Sequence, residues 1–190
     1  MRRRSLLAAP LALAAAGATE AAAQTAASRA PLPDDGYAGS FFKRQLVVVS
    51  DMDRALRLWR DTLGFQAGAV TQSGPQSYSR EVFNIPARAS LRFCTLSAGA
   101  RQVRTFALLE VTGVRLPRSR GIRTAGAVID ARGRLETIIT WARAEGLTVF
   151  GPRPLTNPEQ GTGTEQGFLD WDGNVVVLYQ FPIQAPPPIR

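Results

Sequence analysis

RQLVVVSDMDRALRLWRDTLG at residues 44–64 and RTAGAVIDARGRLETIITWARAEG at residues 123–146 decide the fold of this chain. Each is a short apolar run ending near an aspartate, followed by apolar residues at helical spacing and a closing glycine. In the first, residues 45–49 read as a strand and Ser50-Asp51 as a helix N-cap signal. Ala55, Leu56, Trp59 and Leu63 form the buried stripe of the helix, and Gly64 stands where a left-handed C-cap belongs. In the second, residues 125–129 are the strand and Asp130 the start signal; Leu135, Ile138, Ile139 and Trp141 are the stripe and Gly146 the stop. Asp51 matches Asp130 at an offset of 79, while the tryptophans and closing glycines match at 82. A three-residue insertion near the start of the second helix reconciles the two offsets. An internal repeat of this kind sets the architecture before any single motif does.

Further strands are expected at 65–71, 78–83, 89–96 and 103–111, and then at 147–150, 153–156, 163–169 and 174–181. Each half therefore reads βαβββ, an α+β module whose helix covers one face of a small mixed sheet. One such sheet leaves an apolar face bare, so two must pair, over residues 41–112 and 121–182 of a single domain spanning 41–182. Trp59 and Trp141 belong to the core, while Trp171, in a turn between two aspartates, is the aromatic expected to be most exposed. Cys94 sits in an apolar strand and reads as a buried, inert thiol. As the single cysteine it allows no intramolecular disulfide. Gly161-Thr162-Gly163-Thr164 lacks the lysine and helix of a phosphate loop and reads as a hairpin or loop over the site.

Residues 1–23 have the layout of a secretory signal peptide: Arg2, Arg3 and Arg4, a short apolar stretch, then Ala21 and Ala23 as an A-x-A cleavage site. The arginines also resemble a twin-arginine export signal. The apolar stretch is well short of the ~20 residues that cross a bilayer, so stable membrane insertion is not expected, and the mature protein is expected to be periplasmic or secreted. Residues 24–40 read as a flexible tail and 183–190 as a Pro-rich tail. The formal charge is +8, carried almost entirely by arginine, with Lys43 the only lysine. No basic helix or aromatic-interleaved motif accompanies that charge, so a nucleic-acid partner is not expected. Arg115, Arg118, Arg120 and Arg123 read as a solvated linker. A homodimer is compatible with the pattern.

VVVSDMDRALRLWRDTLGF near the start and GFLDWDGNVVVLYQ near the end resemble the vicinal oxygen chelate superfamily, the glyoxalase I, extradiol dioxygenase and fosfomycin- and bleomycin-resistance proteins. The resemblance covers residues 43–182 and is most specific at Asp170, Asp172, Gly173 and Asn174. It implies a mixed-sheet cup between two modules. In metal-dependent members a histidine precedes the helix-opening aspartate by seven residues, and glutamates lie on the last strand of each module. Those positions fall here on Arg44, Arg123, Ala107 and Val177, and the chain contains no histidine. Arginine only donates, and alanine and valine have no lone pair, so a divalent metal or other cofactor is not expected.

With those four positions facing the cup, strand alternation adds Leu46 and Val48, Thr105 and Leu109, then Ala125 and Ala127, and Val175 and Tyr179. Glu110 differs in parity from Ala107 and faces away. Arg44, Val48, Ala107, Arg123, Val177 and Tyr179 are the ligand-binding candidates; no catalytic set emerges, since without histidine there is no Ser-His or Cys-His pair. Three readings stay open. The first is an exported, metal-free protein binding a small hydrophobic or anionic molecule. The second is a lyase, isomerase or dioxygenase-type enzyme with an atypical site, and the third a structural or partner-binding protein whose cup is filled.

Overall fold

Ten strands fall into two five-stranded mixed sheets, one from each half of the repeat. The computed structural model describes residues 42–117, 123–157 and 161–182, so the leader, both tails and part of the arginine-rich linker lie outside the described residues. From Phe42 onward the chain is one compact unit. In the first module β1 (Gln45–Val49) leads into α1 (Met52–Leu56), followed by β2 (Gln66–Ala67), β3 (Thr71–Gln72), α2 (Ser79–Val82), β4 (Ser90–Ser97) and β5 (Phe106–Thr112). The second runs β6 (Gly126–Asp130), α3 (Leu135–Ala144), β7 (Thr148–Val149), β8 (Arg153–Asn157), β9 (Gly161–Leu169) and β10 (Val175–Gln180). The strand orders are β1-β5-β4-β2 with β3 on β4, and β6-β10-β9-β7 with β8 on β9. In both, the first and last strands pair in parallel and the rest pair antiparallel.

The side chain of Asp51 caps α1 by accepting from Arg54 N at 2.9 Å. After one α-helical turn the chain widens into a π-helix over Arg57–Thr62, which carries Trp59 fully into the core against Phe106, ring centroids 4.0 Å apart. Gly64 (φ 83) and Gly146 (φ 70) end the two helices in the left-handed region, where a Cβ is disfavoured. One core cluster contains Val47, Leu56, Trp59 and Leu108 from the first module with Ala127, Ile139, Phe168 and Leu178 from the second. Cys94 is buried in it as well.

The repeat carries a device that spacing alone did not reveal. Met52 N, at the start of α1, donates to Glu110 Oε1 of β5 at 2.8 Å, and Leu135 N, at the start of α3, donates to Gln180 Oε1 of β10 at 3.1 Å. Each module thus satisfies an open helix N–H with a side chain from its own last strand. This equivalence sets Val49, paired with Glu110, against Ala131, whose N–H continues the β6–β10 ladder, an offset of 82 (49 to 131) that the tryptophans and closing glycines share. The expected three-residue insertion is therefore absent. Asp130 does not open α3; its side chain accepts from Arg132 N at 3.0 Å, and a left-handed turn through Arg132 (φ 46) and Gly133 (φ 82) separates it from the helix.

One expected strand differs as well. Residues 78–83 form the single-turn helix α2 and adjoining turns, because Tyr78, Val82 and Phe83 have no strand beside them and stay exposed. Residues 161–164, read as a hairpin or loop, are the start of β9 and pair antiparallel with β8, which is the hairpin.

Candidate functional site

Opposite the helices each sheet presents a second face, here called the inner face. In the first module the ladder puts Leu46 beside Ala107, and Val48 beside Leu109, which is flanked on its other side by Phe93. Arg44 continues this face and lies over the Phe93 ring, 5.8 Å from its centroid. Deeper in, Leu91, Leu109 and Val111 are fully buried in a second cluster that Ile85, Val114 and Leu116 cover. This part of the first inner face is therefore filled by the chain itself.

The second inner face is open. Val128 pairs with Val177, which pairs with Gly167, and Val128 is 65% exposed. Gly167 leaves room for the Phe150 ring, which lies 3.6 Å from where a Cβ would stand and is itself 43% exposed. One row further, Tyr179 sits between Asp130 and Glu165, half-buried and edge-on to Phe181. The place of Val128, Phe150, Asp130 and Glu165 on this face was not expected from the sequence, because it depends on the β6–β10–β9 register.

Of the six candidates, Arg44, Val48, Ala107, Val177 and Tyr179 lie on inner faces. Arg123 does not join them: it is exposed, outside β6, and three residues before Gly126, which the offset of 82 (44 to 126) makes the true equivalent of Arg44. Ala127, expected on the inner face, belongs to the core instead, since it pairs with buried Val176.

Glu110 faces the helix side, as its parity requires. It is 4% exposed and bonded through both carboxylate oxygens to Arg92. The Arg92 guanidinium holds the Glu110 pKa below the usual carboxylate range, against the opposing effect of burial.

The Asp170–Asn174 turn ties the modules together. Asp170 accepts from Asp172 N, Asn174 N and Asn174 Nδ2 at 2.8–2.9 Å, while burial, outweighing these bonds, pushes its pKa up. Asp172 accepts from Ser50 N at 3.1 Å and Ser50 Oγ at 2.6 Å, and Asn174 Nδ2 donates to Val48 O at 3.2 Å. Trp171 is half-buried rather than exposed: it meets Trp141 edge-on and has Arg54 and Arg57 over its ring at 5.4 and 5.5 Å. The stretch that carries most of the family resemblance thus works as an inter-module joint.

Two modules, each a five-stranded mixed sheet with its first and last strands parallel and its helix tied to the last strand, match known structures. The chain has the glyoxalase/bleomycin-resistance fold. It is similar to a glyoxalase family protein from Bacillus cereus (9% identity, TM-score 0.55, covering 76% of this chain and 98% of that one). It is also similar to a glyoxylase/bleomycin resistance protein/dioxygenase domain from Frankia (13% identity, TM-score 0.51, covering 78% and 96%). No protein-family model and no curated protein matches the chain. At these identities the likeness establishes the vicinal oxygen chelate fold, a two-module mixed-sheet cup, and the fold expected from the sequence is borne out.

The glyoxalase-like cup does not offer the donors that a divalent metal of that fold needs. The equivalent inner-face positions hold Arg44, Ala107, Gly126 and Val177, with no ligating atom among their side chains. Among the described residues no three His, Cys, Asp or Glu side chains come together. No described helix is long and apolar enough to cross a membrane.

Proposed function

We propose that the mature protein is exported and binds a small, largely apolar molecule in the cup, without a bound metal. The observation that carries this reading is the open inner face of the second module, where Val128 and Phe150 are 65% and 43% exposed beside half-buried Val177 and Tyr179. Apolar surface collected on one sheet face, with a few polar groups at its edge, is the usual make-up of a small-molecule site. The filled half of the first inner face limits the ligand to the second module and the seam by Arg44 and Val48. A ligand that removes ~150 Å² of this surface from water gains about 4 kcal/mol at 25 cal/mol per Å². That corresponds to binding near 1 mM, so useful affinity needs a polar anchor as well, roughly.

Purified protein from its own export compartment, analysed by native mass spectrometry and by elemental metal analysis, tests the reading. Retention of a small organic molecule without stoichiometric metal is the expected result; a stoichiometric transition metal overturns it. Export is tested separately: Arg3→Lys with Arg4→Lys abolishes appearance in the periplasm if the leader is of the twin-arginine kind.

A metal-free lyase or isomerase is the second reading, favoured by one observation. Tyr179 lies between two carboxylates, Asp130 and Glu165, at the edge of the open face, a place where a proton could be moved. Turnover of a candidate substrate that survives Tyr179→Phe and Glu165→Gln together removes this reading.

A further inference from the structure

Arg44 and Arg104 stand near each other where β1 and β5 begin, and among the described residues neither has a carboxylate partner. Gln45 N donates to Thr105 O at 3.0 Å and Gln45 pairs with Phe106, so Arg44 stands opposite Thr105 and diagonally across from Arg104, where the chain enters β5. Arg44 is held over the Phe93 ring. Arg104 has φ 55, in the left-handed region that arginine seldom occupies, and its backbone N–H is tied to Ser97 Oγ at 2.9 Å. Among the described residues neither arginine makes an ion pair. Partial burial, and then the charge of Arg104, lower the pKa of Arg44, which is what two neighbouring cations without a counterion undergo.

We propose that Arg44 and Arg104 form a clamp for the oxyanion of an apolar ligand, a carboxylate, sulfonate or phosphate group whose hydrocarbon body lies in the cup. This rests on the small-molecule reading above and supplies the polar anchor that apolar burial lacks. An oxyanion between the guanidiniums removes their repulsion and accepts charge-assisted hydrogen bonds from both. Arg123 has no part in it.

The test uses two fluorescent probes that share an apolar body, anilinonaphthalene sulfonate and neutral phenylnaphthylamine, on the mature protein and its variants. Wild type is expected to bind the sulfonate about tenfold tighter than the neutral probe, a preference that salt weakens. Arg44→Ala and Arg104→Ala each remove most of that preference, read as the ratio of the two probes' affinities. Arg44→Lys keeps part of it, and Arg123→Ala changes neither probe. Equal affinity for both probes in wild type, or a preference that survives both alanine variants, overturns the clamp but not the apolar cup. Failure of wild type to bind either probe overturns both. Circular dichroism checks folding, and the exposed Arg104 carries the test alone if Arg44→Ala does not fold.

Discussion

Replacing Glu110 separates two contributions that the structure combines in one side chain. Its Oε1 accepts from Met52 N at 2.8 Å at the start of α1, and both oxygens bind Arg92. Glu110→Ala removes a helix cap, costing about 1 kcal/mol. It also removes the charge-assisted bonds to Arg92, and because the Arg92 side chain is 38% exposed and can regain water, that loss is discounted to about 1–2 kcal/mol. Glu110→Ala is therefore expected to cost about 2–3 kcal/mol, or about 5–10 °C in Tm for a domain of this size. Glu110→Gln keeps the acceptor for Met52 N, as Gln180 does for Leu135 N in the other module, and is expected to cost about 1 kcal/mol.

Urea unfolding followed by tryptophan fluorescence measures both variants. The pH dependence gives a second readout. Arg92 holds the folded-state pKa of Glu110 below its unfolded value, so the stability it contributes is present above about pH 4.3 and is lost as pH falls through the folded pKa. The gap between wild type and Glu110→Gln should accordingly narrow on acidification below that point. A Glu110→Gln loss as large as that of Glu110→Ala refutes the capping argument, and a gap that does not change with pH refutes the charge argument.

Gly163→Ala drives a Cβ into the Gln180 carbonyl oxygen, so β9 and β10 must shift; a cost of about 1–3 kcal/mol in the same unfolding assay is expected, and a neutral effect speaks against the close approach. Asp172→Ala leaves Ser50 N and Ser50 Oγ without their acceptor at the module joint and is expected to cost about 2 kcal/mol, with faster amide exchange at Ser50. Cys94 is fully buried and burial pushes its thiol pKa up, so it should stay unreactive toward a disulfide reagent until urea unfolds the chain; fast labelling of native protein contradicts this.

Local periodicity already contained much of the architecture. Alternation along 44–49 and 106–112 assigned Arg44, Leu46 and Val48 to one face and turned Glu110 to the other, because successive side chains of a strand must point oppositely whatever lies around them. The apolar stripes of both helices and the glycines that end them followed from helical spacing in the same way. Equivalence between the modules was beyond that reasoning. Asp51 and Asp130 look alike in sequence, yet one caps a helix and the other ends a strand, and only the side chains of Glu110 and Gln180, reaching the helix starts from far along the chain, fix the offset at 82 (49 to 131). That is why Gly126 and not Arg123 is the counterpart of Arg44. The pair of repeated modules, the parity of their strands and the lack of histidine all follow from residue order alone. Which half of the cup is filled and which is open was decided by Ile85, Val114 and Leu116 packing onto Leu109, contacts between segments whose meeting no local pattern encodes.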